Sequence, residues 1–262
     1  MVALVWSGLL LSLSVDPDYT AGELRDHFQA WREGGALYPA LGIAPPLRVL
    51  NYPPLVFLLI RGVAGLGVPP LAAGRLVDAL GLVAMAGAVA WWARARGAHG
   101  AVLAGTVGLL GASFPVLYGT GQFHIELWGA AGTVLGFALI DRASSWRGAA
   151  FGGVALALAC FAKQTQAVPA IVALAWSWWY RPREAASATV AFALTGAAGA
   201  AAITAAWGLE PWRHMVTYTV GTFSGANLAE QFVSHVAPWA TLLAFTASAW
   251  WTDRTLVKSD PA

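Results

Sequence analysis

Five of the thirteen acidic residues of this chain, Asp16, Asp18, Glu23, Asp26 and Glu33, fall within eighteen positions. A carboxylate held beside a hydroxyl can take its proton as the oxygen attacks an electrophile, because the hydroxyl pKa lies far above neutrality. Asp18 comes just after the first apolar run, where a carboxylate would face the headgroup zone of a bilayer. Asp16, followed by Pro17, reads either as a partner in that role or as the residue that starts a helix. Lys163 stands between two apolar runs in ACFAKQTQAVPAI. It can neutralise an anion at that turn, or be a lysine snorkelling from a helix end. His124 and Glu126 are two positions apart and do not share a helical face, which argues against a two-ligand metal site from this pair. Glu126 nonetheless opens an apolar run, where an ionisable group is costly and so marks a candidate site. Gln122, in the same turn, can hydrogen-bond a polar ligand or cap the turn.

The elements that must position these residues are set by composition. Of 262 residues 58% are hydrophobic and 11% charged, with 14 Trp, 29 Gly and a mean hydropathy of +0.62; soluble domains carry roughly 25% charged residues. The chain reads as an integral membrane protein, all-α and polytopic. A net charge of +2 with no basic tail gives no footprint for nucleic acid. The one cysteine, Cys160, sits in an apolar run, so no intrachain disulfide can form and no multi-cysteine metal site exists.

Eight apolar runs can span: 1–15, 72–93, 100–117, 125–140, 148–162, 168–180, 186–207 and 236–251. The first lacks both a basic lead and a small-residue cleavage signal, so it reads as a membrane helix and not as a signal peptide. At ~1.5 Å per residue it reaches ~22 Å of a ~30 Å hydrocarbon core, which predicts local thinning or a start further upstream. The run PPLVFLLIRGVAGLGVPP is bracketed by proline pairs and carries Arg61, which predicts a short re-entrant or interfacial helix. If it does not cross, Arg94, Arg96, Arg142, Arg147, Arg181, Arg183, Arg254 and Lys258 all fall on one side. The positive-inside rule makes that side cytoplasmic.

The long polar segments 16–71 and 208–235 then form outer loops of a single transmembrane domain covering 1–262. Within the first, GELRDHFQAWREGG places Leu24, Phe28 and Trp31 at helical spacing, with Glu23, Arg25, Asp26 and His27 expected on the wet face of an interfacial helix. Arg75 and Asp78, three positions apart in the second span, can neutralise each other. The tryptophans at 91–92, 176–179 and 250–251 fall at the ends of spans on the basic side and read as an interfacial belt.

In this order the residues carry a resemblance. Asp18-Tyr19, a helix of about fifteen residues, GGALYP at 34–39, NYPPL at 51–55, GRL at 74–76, GTGQFHIELWGAAG at 119–132 and the lysine-bearing turn of ACFAKQTQAVPAI together resemble the GT-C superfamily of membrane glycosyltransferases. Within it they are closest in kind to the polyprenyl-phosphate-dependent mannosyl- and aminoarabinose-transferases. The likeness covers roughly residues 1–185. This chain has Asn51-Tyr52 where some relatives place a lysine before the proline pair, and His124 with Glu126 where some place a second acid.

The resemblance implies inverting sugar transfer in the cytoplasmic (inner) membrane, from a polyprenyl-phosphate sugar to a lipid, glycan or protein acceptor at the outer face. Asp18 is then the expected base, with Asp16 beside it. The phosphate that departs with the lipid needs a cation or a divalent metal: Lys163 leads, with Arg48, Arg61 and Arg213 in reserve. Tyr52, Gln122, His124 and Glu126 are expected at the substrate, and membrane lipid is a further partner. A transporter or lipid-binding membrane protein is the alternative, as is a truncated, inactive relative of the same fold.

Overall fold

The computed structural model describes residues 19–41, 49–112, 123 and 125–218. Within them every regular element is helical and there is no strand. Backbone packing divides the chain into two units, Met1–Thr219 and Val220–Ala262, and the described residues all belong to the first.

Helix α1, Tyr19–Arg32, ends because Gly34 takes up a positive φ of 98°, a conformation open to glycine at little cost. Its faces follow the expected spacing except at one residue. Leu24 and Phe28 are buried and Glu23 and Asp26 exposed, but His27, expected on the wet side, is buried. Positions 24, 27, 28 and 31 are i, i+3, i+4 and i+7 of one helical stripe, so geometry carries the imidazole inward with its neighbours.

The Pro53-Pro54 pair precedes α2, Leu55–Gly65, whose eleven residues extend only ~16 Å at ~1.5 Å each. Pro70, tolerated in the first turn, opens α3, Pro70–Ala95. Then come α4, Gly100–Ala112, α5, Glu126–Arg142, α6, Trp146–Ala162, α7, Ala167–Tyr180, and α8, Pro182–Trp207. Six runs expected to span thus contain helices, at nearly the expected bounds where these are described; residues 113–117 of the run 100–117, and the runs at 1–15 and 236–251, lie outside the described residues. Among the described residues only α3 and α8, at 26 residues each, are long and apolar enough to cross a membrane by length and composition. Helix α8 stops at Gly208, φ 66°, before a helical turn at Glu210–Trp212 and a π turn at Arg213–Thr217.

Helix α5 lies along α3 and α6, and α6 along α8, joined through missing side chains. A Cβ on Gly152 would lie 2.7 Å from the Gly136 carbonyl oxygen, and one on Gly153 would lie 2.0 Å from that of Ala188. Small residues that let helix backbones approach are the usual device where the surroundings supply no hydrophobic drive. Conversely, large apolar side chains stay exposed along the flanks, among them Leu76, Leu80 and Val83 on α3 and Val168, Ile171 and Val172 on α7.

The helices alternate in direction, and their contacts define two ends. At one end the loops bearing Arg96, Arg142 and Arg181 meet; Arg254 and Lys258, expected with them, lie outside the described residues. Asp141, 4% exposed, accepts hydrogen bonds from Trp92 Nε1 at 2.9 Å and Arg96 Nε at 3.1 Å, and pairs with the Arg96 guanidinium. Arg181 donates to the carbonyls of Ile140, Asp141 and Ala143, which end α5. Burial pushes the Asp141 carboxyl up, but the Arg96 and Trp92 hydrogen bonds and the charges of Arg96 and Arg181 outweigh it and hold the group below the usual carboxylate range. Arg142 lies 4.7 Å from the Trp91 ring, within cation–π range.

Candidate functional site

The opposite end carries the polar segments. Leu24 and Phe28 of α1 pack with Leu37, Tyr38 and Leu50 of the loop and with Phe57 of α2 into one buried cluster that reaches α3. Phe123 sits against Gly74, where a Cβ would come within 2.1 Å of the ring, and touches Phe28 at 5.9 Å. Helix α1 is thereby seated on the bundle.

Three side chains from distant parts of the sequence fix the backbone of Leu50, Asn51 and Tyr52. Leu50 N–H donates to His214 Nδ1 at 3.0 Å, Gln164 Nε2 donates to the Asn51 carbonyl at 2.5 Å, and the Tyr38 hydroxyl donates to the Tyr52 carbonyl at 2.7 Å. Because His214 accepts at Nδ1, its Nε2 carries the proton and donates to the Pro39 carbonyl, 2.7 Å away. His214 is fully buried and packs edge-on against Tyr38. Burial pushes the Tyr38 phenol up, so it stays a donor.

Against this fixed segment stands Lys163. It is the first residue beyond α6 and is extended, with φ −152° and ψ 123°, before the tight turn Gln164–Gln166 leads into α7. That break turns the side chain away from the α6 axis. Its Nζ lies 2.5 Å from Glu126 Oε1 and 5.7 Å from the centre of the Tyr52 ring. Glu126 is the first residue of α5, and its Oε2 accepts from Ile125 N–H at 3.0 Å. The Lys163 side chain is 19% exposed and that of Glu126 35%, so the protein covers neither completely.

Of the residues read from the sequence, Tyr52, Glu126 and Lys163 are brought together. Arg61 is exposed on α2 with its guanidinium 4.1 Å from the Trp31 ring. Arg213 is exposed beyond α8 and pairs with Glu210 at 2.6 Å. Asp16, Asp18, Arg48, Gln122 and His124 lie outside the described residues. Among the described residues no group of three or more His, Cys, Asp or Glu could hold a metal ion.

Sequence reasoning took Glu126 and Lys163 separately and missed their pairing. It also missed Gln164 and Gln166. Gln166 accepts from Thr133 of α5 at 2.9 Å and Gln164 reaches Asn51, so the KQTQ turn is tied on both sides. The available signal was two glutamines in a three-residue turn between apolar runs, where amides need partners. A cation on a fixed seat beside an aromatic face, open to solvent at the end of a helix bundle, can hold a phosphate or carboxylate. No protein-family model matches the chain, and comparison with curated proteins and with solved structures finds no match either.

Proposed function

We propose that the chain is a multi-pass glycosyltransferase of the cytoplasmic membrane, of the GT-C kind. It transfers a sugar from a polyprenyl-phosphate donor to a lipid, glycan or protein acceptor at the outer face. The observation that carries this reading is the half-buried Lys163 ammonium, held between Glu126 of α5, the end of α6 and the Tyr52 ring. A phosphate attached to a lipid can reach that place from the membrane while its sugar meets water. The exposed apolar flanks, the close helix contacts through glycine and the basic loops gathered at the far end support a membrane setting; the eight crossings are part of the same proposal.

In the reaction proposed, the acceptor hydroxyl attacks the anomeric carbon from the face opposite the phosphate. Asp18 takes the hydroxyl proton as the new C–O bond forms, and the old C–O bond breaks, leaving the electron pair on the lipid phosphate. Lys163 stabilises the charge that gathers there. Asp16 supports Asp18, and Arg48, Arg61 and Arg213 are further cations on the same outer segments. A transporter is the second reading, favoured by Arg75 and Asp78, both buried one turn apart within α3.

The test is transfer in membranes supplied with radiolabelled polyprenyl-phosphate sugars. Wild type is expected to transfer label. Asp18→Asn is expected to lose ~10²-fold or more, the usual worth of a general base. Unchanged transfer in Asp18→Asn removes Asp18 from the reaction, and solute uptake without transfer by wild type favours the transporter.

A further inference from the structure

The Lys163 charge is already answered within the protein. Glu126 Oε1 takes the ammonium at 2.5 Å while its Oε2 accepts from a backbone N–H. A carboxylate held on one oxygen by a cation and on the other by an amide donor occupies the place, and uses the contacts, that a phosphate oxygen would use. Neither partner is fully buried by the protein, so exchanging one anion for another on Lys163 does not strand a charge in a closed interior, as opening a fully buried pair would. Tyr52 on the other side and the Gln164 tie to Asn51 hold the seat whichever anion fills it.

We infer that the Glu126 carboxylate is a resident stand-in for the donor phosphate, a role that rests on the reading of Lys163 as the donor-phosphate cation. With no donor bound, it neutralises Lys163 and keeps the ammonium against Tyr52. A lipid-linked phosphate ester displaces it, and the displaced carboxylate then stands beside the new anion and repels it. The repulsion is greater for the product, a monoester that carries more charge than the donor diester, so Glu126 weakens product retention more than donor binding.

The experiment measures binding of a polyprenyl monophosphate, and separately of inorganic phosphate, to the full chain in detergent micelles. Wild type, Glu126→Gln, Glu126→Asp and Lys163→Met are compared, with thermal unfolding of each followed in parallel. Glu126→Gln removes the competing charge while keeping the side-chain shape, and is expected to tighten polyprenyl monophosphate about tenfold, the equivalent of ~1.4 kcal/mol. Glu126→Asp keeps the charge and is expected to bind like wild type; Lys163→Met is expected to lose binding. Unchanged or weaker binding by a folded Glu126→Gln overturns the stand-in role and leaves the donor reading intact. If Glu126→Gln does not fold, Glu126→Asp decides: its shorter carboxylate must not weaken binding, as it would if Glu126 served to hold Lys163 in position for the phosphate. Tightening confined to inorganic phosphate overturns the lipid-linked ligand. Failure of wild type to bind the lipid probe at all sinks the glycosyltransferase reading together with the stand-in.

Discussion

At the scale of single residues, Asp141 is the group whose charge state matters most to the basic end. Its carboxyl lies below the ordinary range in the folded chain, while an unfolded aspartate titrates near ~3.9. Between the two values the unfolded state binds more protons, so stability rises with pH there. The contribution is fully present above ~4 and is lost as pH falls through the lowered folded value. Asp141→Asn is therefore expected to lower the unfolding temperature at neutral pH and to flatten its acid limb, as read by thermal scans from pH ~3 to ~7. The half-exposed Arg96 is screened by solvent, so its replacement by Lys is the milder change. Asp141 could have been suspected from sequence, as the one acid in the short DRASSWR connection. Its three partners could not, because Trp92, Arg96 and Arg181 meet it only through helix packing.

At the scale of elements, the apolar runs were legible and their ends nearly so, because period and proline placement act locally. The α6–α8 contact was not legible. Gly152 and Gly153 sit side by side in an alanine-rich run, and only the packed structure shows that Gly153 faces the Ala188 carbonyl while Gly152 faces Gly136. The same chemistry at Gly148 meets nothing closer than Ala143 Cβ at 3.6 Å. Gly153→Ala is expected to destabilise by ~1–3 kcal/mol through forced separation of the two helices. Gly148→Ala is expected to be neutral or to stabilise by up to ~1 kcal/mol through helix propensity. Thermal unfolding of the two variants side by side checks both, and equal effects would mean that α6 and α8 do not touch at Gly153.

Taken together, the described residues are organised about two ends. One carries the Asp141 network and the other the Lys163 seat, and helices of 13 to 26 residues join them. Reading the basic loops as one group was possible from sequence because positive charge is counted loop by loop. The closing of the site was not, since it depends on ties across 113 and 164 positions, from Gln164 to Asn51 and from His214 to Leu50. In a chain with Cys160 replaced by alanine, single cysteines at exposed Ser144 and exposed Thr165 are expected to react with a membrane-impermeant maleimide from opposite sides of sealed vesicles. Labelling of both from one side would refute a membrane running between the two ends.

The His214 tie also sets an order of events during synthesis. Residues 39 and 50 emerge early, yet two of their backbone groups, the Leu50 amide and the Pro39 carbonyl, bond to a ring added 164 and 175 residues later. Until residue 214 has been made and has followed α8 into place, those two groups lack the ring that joins them, and the backbone leading to Tyr52 is not yet fixed on that side. The Tyr52 side of the Lys163 seat is therefore set late, once the last helix of the described bundle has arrived.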